Sequence, residues 1–292
     1  MINEALATLD DITHWSPAAS CGSLQMLRLD QLHPVVSGNK WYKLKHNAAE
    51  AIAGGKDTLL TFGGGHSNHL VATAFAAREW GLKSTGLVRG DYTGANPTET
   101  LKACAEYGME LIPLSKAEYA IQKEDPRLAD RFPGAHIIPE GGANAAGIRG
   151  AAEIASLIPA DTTDVCLAVG TGTTLSGLAS ALPAHMRLHG FYVAKDFERT
   201  SKMASRSANP SGPEVLFHQV QDARFGKWTA DALSFIRVFY NTTGIPLDVV
   251  YTSKMMMKLE SMLRSGWPGS PGKIVCIHTG GLQGNPPGLF LQ

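Results

Sequence analysis

In SGNKWYKLK at 37–45, the turn of Ser37, Gly38 and Asn39 delivers Lys40 just ahead of a helical pattern whose apolar residues include Leu44, Ala48 and Ile52. A lysine at such a junction is either an ordinary surface residue or an amine held inside a cleft. Burial lowers its pKa, and the amine can then form a Schiff base with an aldehyde. In TFGGGHSNH at 61–69 a strand runs into Gly63, Gly64 and Gly65, and Ser67 and Asn68 open a helix that Gly81 ends. That layout brings backbone N–H groups and hydroxyls up to an anion, although the same residues also suit plain N-capping. His66 and His69 flank the pair, but with no acidic third partner they do not specify a metal site. In LAVGTGTTLSGLAS at 167–180, Gly170 and Gly172 let the backbone approach a ligand, while Thr171, Thr173 and Thr174 add hydroxyl donors. A dinucleotide fingerprint would need glycine where Leu175 stands, and a P-loop would need lysine at Leu178. A single phosphate group remains as the ligand, with a structural glycine turn as the alternative.

The elements that must position these residues alternate along the chain. Short apolar runs at about 58–63, 84–89, 110–114, 136–139, 164–169, 189–194, 215–220, 247–252 and 273–278 fit strands buried on both faces of a parallel sheet. Amphipathic stretches lie between them. One has Asn96 as cap, Pro97 at the first helical position, Glu99 three residues after the cap and Gly108 at its close. The pattern predicts a doubly wound α/β protein of two lobes. The run 246–254 (PLDVVYTSK) places Tyr251 and Thr252 at one strand end, and 277–281 (IHTGG) places His278 and Thr279 at another. Ligands of open α/β sheets bind outside such ends. Met255, Met256, Met257 and Met262 read as core, and 196–213 reads as a surface loop.

Composition excludes several functions. With 26 basic and 26 acidic side chains among 292 residues, no overall field attracts a polyanion or an anionic membrane. Nucleic acid and membrane partners are therefore not expected, and the chain reads as soluble and cytoplasmic. Cys21, Cys104, Cys166 and Cys276 lie far apart and read as buried reduced thiols.

One aldehyde-seeking lysine and one phosphate cradle without a nucleotide fingerprint together point to pyridoxal phosphate. The order GNKWYKL, GGGHSNH, GTGTT, VYTSK, HTGG also closely resembles the pyridoxal-phosphate family of D-cysteine desulfhydrase and 1-aminocyclopropane-1-carboxylate deaminase, in the tryptophan-synthase-β fold group. The resemblance runs from about residue 25 to 285. It implies a large cofactor-binding domain of 1–45 and 139–292, with a small α/β domain, 46–138, inserted in it. It also implies a homodimer. By matching, Lys40 is the Schiff-base lysine and Lys43 the second lysine of the family pattern. Asn68 bonds the cofactor's ring hydroxyl, Ser67 contacts substrate, Thr171, Gly172, Thr173 and Thr174 form the phosphate cup, Tyr251 is the active-site tyrosine and Thr252 partners the pyridine nitrogen. Asn68, His66 and Tyr251 join Ser67 around the substrate.

Three departures bear on the substrate. The family's deaminases carry glutamate after the tyrosine, whereas Thr252 is similar to the desulfhydrase pattern. A hydroxyl does not keep the ring nitrogen protonated as a carboxylate does, so the cofactor is expected to be a weaker electron sink. Phe225 stands where a second tyrosine is usual, and His66 stands where glutamine is usual. The expected activity is that of a lyase or deaminase of a small amino acid, with β-elimination from D-cysteine or a relative as first choice. Opening of 1-aminocyclopropane-1-carboxylate, a racemase or dehydratase, and a pyridoxal-phosphate-binding regulatory protein are the alternatives.

Overall fold

The computed structural model describes residues 2–16, 22–90, 97–193, 209–220, 228–268 and 272–290. Cys21, Asn96, Phe225 and most of the 196–213 stretch lie outside the described residues. In chain order the described strands are β1 (Thr8–Asp11), β2 (Ser23–Arg28), β3 (Thr58–Gly64), β4 (Lys83–Arg89), β5 (Met109–Leu114), β6 (Ala135–Ile138), β7 (Asp164–Val169), β8 (Arg187–Tyr192), β9 (Glu214–Gln219) and β10 (Lys273–His278).

The chain divides into two compact units. The first spans Lys40–Gly150 and holds a four-stranded parallel sheet of order β5-β4-β3-β6. Leu60, Phe62, Leu87, Leu114 and Tyr119 form a core there, because the strand residues of one face meet the apolar side of a flanking helix. The second unit, Ile2–Asn39 with Ala151–Gln292, holds a six-stranded sheet of order β1-β2-β10-β7-β8-β9. All its pairings are parallel except β1 with β2. Its core gathers Leu24, Met26, Phe191, Phe239, Met255, Met256 and Leu259, so two of the predicted core methionines are fully buried.

The first unit runs from Lys40 to Gly150, and its two ends pack together. The helix Asn39–Ala53 presses its backbone onto Gly150, where a Cβ would fall 1.7 Å from the Tyr42 carbonyl oxygen. Leu44 and Ala48 of that helix are buried, whereas Ile52 is exposed and contributes nothing to its core face. Two expectations are corrected, and two strands lie outside them. Residues 247–252 form a turn leading into a helix instead of a strand. The cap of the helix Glu99–Glu106 is Thr98, whose side chain accepts from the Leu101 N–H, and Pro97 precedes it. The strands β1 and β2 were not anticipated, since neither is a continuous apolar run. Asp10 of β1 and Asp30 instead hold the buried Arg28 at 2.7 to 2.9 Å, a charge-assisted pairing that keeps Arg28 protonated despite its burial.

Candidate active site

Lys40 is the second residue of the helix Asn39–Ala53, within its first turn instead of ahead of it, and is half-buried. Lys43, one turn on, is only 4% exposed, and its Nζ donates to the Gly141 carbonyl at 3.2 Å. Burial, and then the charge of Lys40, hold its pKa well below the ordinary lysine range. Asn47 braces this turn, since its Nδ2 donates to the Lys43 carbonyl at 2.6 Å while its Oδ1 accepts from Asn144 at 2.7 Å.

On the same unit, β3 continues through Gly64, and the helix Asn68–Glu79 follows. Ser67 is its N-cap and accepts from the Leu70 N–H. Ser67 and Asn68 are half-buried, whereas His66 is exposed. His69 is buried, with Nε2 3.0 Å from the Thr61 hydroxyl. Burial, followed by the charges of Lys43 and Lys40, lowers its pKa to about 3.

The second unit carries the remaining candidates. After β7 the chain turns at Gly172 (φ 85°), a left-handed conformation that a side chain would strain, and enters the helix Thr173–Ala181. No side chain caps this helix. The first amides of a helix lack intrahelical acceptors, so Thr173, Thr174 and Leu175 present N–H groups to an anion. Thr171 and Thr173 hydroxyls lie 3.1 Å apart, and Asn39 Nδ2 donates to the Thr174 hydroxyl at 2.8 Å. Asn39, which immediately precedes Lys40, is thus tied to the candidate anion loop, a link that spacing along the sequence does not signal.

Tyr251 and Thr252 owe their placement to Asp248, not to a strand end. Its carboxylate accepts from the N–H groups of Val250, Tyr251 and Thr252 at 2.7 to 2.9 Å, so the helix Thr252–Arg264 starts there. An Asp three residues ahead of the tyrosine was the available signal. His278 ties this turn to the next loop, donating from Nε2 to the Pro246 carbonyl at 2.8 Å and accepting from the Gly280 N–H at Nδ1. Thr252 is fully buried, and its hydroxyl has no hydrogen-bond partner among the described residues.

These residues fit pyridoxal phosphate. A helix start without a side-chain cap suits its phosphate dianion, the buried unsatisfied Thr252 hydroxyl suits a ring nitrogen, and a lysine in a helix's first turn suits its aldehyde.

Each unit is built on a mostly or wholly parallel sheet with helices packed on it; the first carries paired lysines at a helix start, and the second a glycine–threonine loop at an uncapped helix start. The chain belongs to the pyridoxal-phosphate dependent enzyme family, whose pattern matches residues 14–280, and pyridoxal phosphate is its cofactor. A Pyrococcus horikoshii protein that provisionally carries the name 1-aminocyclopropane-1-carboxylate deaminase is 32% identical over 273 residues, covering 85% of this chain and 81% of the relative. A mitochondrial Arabidopsis thaliana protein named bifunctional D-cysteine desulfhydrase/1-aminocyclopropane-1-carboxylate deaminase is 30% identical over 285 residues, covering 85% of this chain and 70% of the relative. The crystal structure of an ACC deaminase homologue superposes with a TM-score of 0.80 at 25% identity, covering 95% of this chain and 90% of that one. Among the described residues no helix is long and apolar enough to cross a membrane.

Proposed function

We propose that the chain is a lyase that eliminates the β substituent of D-cysteine or a close relative, turning D-cysteine and water into pyruvate, ammonia and sulfide. When bound, pyridoxal phosphate supplies an aldehyde for the substrate amine and a ring that withdraws electrons from the α-carbon. Lys40 carries the cofactor and, once its Nζ is free, removes the α-proton as a base. Ser67, with neighbouring backbone N–H groups, binds the substrate carboxylate. Asn68 bonds the cofactor's ring hydroxyl, and Thr171 to Thr174 bind its phosphate. Tyr251 delivers a proton to the departing group or at the α-carbon, and His66 lies close in sequence to the substrate contacts.

The observation that carries the choice is the buried Thr252 hydroxyl, which has no carboxylate's charge to keep a ring nitrogen protonated. A weaker electron sink suits loss of a good leaving group such as thiolate. The relatives' names support a second reading, opening of 1-aminocyclopropane-1-carboxylate to 2-oxobutanoate. The same reading includes a homodimer in the cytoplasm. The free, buried Cys104, Cys166 and Cys276 support a reducing compartment, and the family resemblance supports the dimer.

The test is visible absorbance of the purified protein and of Lys40→Ala, followed by product analysis with D-cysteine, L-cysteine, D-serine and 1-aminocyclopropane-1-carboxylate. A lysine-dependent band with sulfide and pyruvate from D-cysteine is expected. 2-Oxobutanoate as the sole product would favour the deaminase reading, and a band without turnover would favour a regulatory protein.

A further inference from the structure

We infer that His278 is a positioning residue, whose Nε2–H holds the start of the turn bearing Tyr251 and Thr252 and whose tautomer is set by Gly280 on the neighbouring loop. That role rests on the reading of Tyr251 and Thr252 as substrate and cofactor residues.

His278 ends β10 and is fully buried. Both its partners are backbone groups of fixed character. The Pro246 carbonyl, 2.8 Å from Nε2, can only accept, and the Gly280 N–H, 3.1 Å from Nδ1, can only donate. Nε2 therefore carries the hydrogen, Nδ1 keeps its lone pair, and the ring is neutral. The Asp30 carboxylate stands 3.7 Å from Nδ1, beyond hydrogen-bond distance, and both its oxygens are engaged by Arg28.

The turn that His278 grips is held by side chains, not by a strand ladder. His278 takes the Pro246 carbonyl. Asn285 donates to the Leu247 carbonyl at 3.0 Å and accepts from the Val249 N–H at 2.9 Å, and Asp248 takes the next three N–H groups. On the other side of the ring, Gly280 (φ 78°) lies so near the turn before Lys40 that a Cβ on it would fall 2.4 Å from the Ser37 Oγ. A Cβ on Gly38 would fall 1.9 Å from the Thr279 carbonyl oxygen. Backbone packed this closely transmits a shift in place of absorbing it. The loop therefore keeps the Gly280 N–H aimed at Nδ1, and Nε2–H is always the atom presented to Pro246. Loss of that donor frees the first residue of the turn, six residues ahead of the buried Thr252 hydroxyl.

The test begins with protein labelled with 15N in histidine and free of pyridoxal phosphate. The His278 resonances, assigned by their loss in His278→Gln, are expected to show Nε2 in the protonated range and Nδ1 in the unprotonated range. A protonated Nδ1 overturns the inference. In the loaded enzyme, His278→Leu is expected to lower kcat about tenfold while KM changes by less than about threefold, and to shift the lysine-dependent absorbance. His278→Gln, whose amide N–H stands near the place of Nε2, should recover most of both losses. His278→Asn, whose oxygen stands near the place of Nδ1 and keeps only the Gly280 bond, should not. A merely structural role would lower Tm in these variants yet leave kcat and absorbance of the folded protein at wild-type values, and that result overturns the inference alone. Absence of the lysine-dependent absorbance in the wild-type protein overturns the reading of the site and this inference with it. Should His278→Leu not fold, the comparison of His278→Gln with His278→Asn decides, and equal kcat in the two overturns the inference.

Discussion

The ring of Tyr251 lies against the backbone of Gly170, so near that a Cβ built on the glycine would fall 3.0 Å from its Cε1 and 3.3 Å from its hydroxyl oxygen. Glycine at 170 therefore sets how close the tyrosine comes to the anion loop. Gly170→Ala is expected to push the ring aside by a few tenths of an ångström and lower kcat about tenfold. Thermal stability should fall little. Unchanged kcat would show that the position of Tyr251 does not matter to the slow step.

Asp248 accepts three consecutive backbone N–H bonds at the start of the helix bearing Tyr251 and Thr252, and it is 1% exposed. Asp248→Ala leaves those amides unsatisfied in a buried turn and is expected to cost about 2 kcal/mol or more. Chemical denaturation measures it. Asp248→Asn, which keeps oxygen acceptance at one position, should lose less, and activity should fall in the same order.

Gly172 carries φ 85° at the open helix start. Gly172→Ala places a side chain in the left-handed region, at about 1–2 kcal/mol, and crowds the N–H groups proposed to bind the phosphate. Titration of apoprotein with pyridoxal phosphate should show affinity weakened about tenfold or more. Equal affinity would move the phosphate site away from this loop.

His69 also sets a pH limit. Its folded pKa of about 3 lies below the ordinary 6.5, so between those values the unfolded chain binds a proton that the folded chain does not. Stability from this group is complete above about pH 6.5 and falls by up to about 1.4 kcal/mol per unit as the pH drops toward 4. His218, lowered to about 4 by burial, then by His189 and Lys258, acts in the same direction. Denaturation midpoints from pH 7 to pH 4 measure the slope. His69→Asn should flatten it, and an unchanged slope would remove His69 as its source.

Most strands were legible because parallel strands buried on both faces are written as short apolar runs, as in β7, where all six residues are buried. β1 and β2 were not, because an edge pairing held by Asp10 and Arg28 leaves no such run. The 247–252 segment has a strand's composition, yet Asp248 takes its N–H groups and so prevents a ladder. His66 and His69 look alike in sequence, three residues apart. Only the fold separates an exposed imidazole from one locked under Thr61.

The sequence by itself determined the α/β class, the family and the residue types at the lysine turn and the anion loop, because these depend on local periodicity and on contiguous residues. The tertiary structure decided what depends on partners distant in the chain. It buried Lys43 beneath Gly141, left the Thr252 hydroxyl unsatisfied, joined Asn39 to Thr174 and set the His69 ring against the Thr61 hydroxyl. Protonation and hydrogen-bond demand follow from desolvation and from the groups across the fold, and no spacing along the chain encodes them.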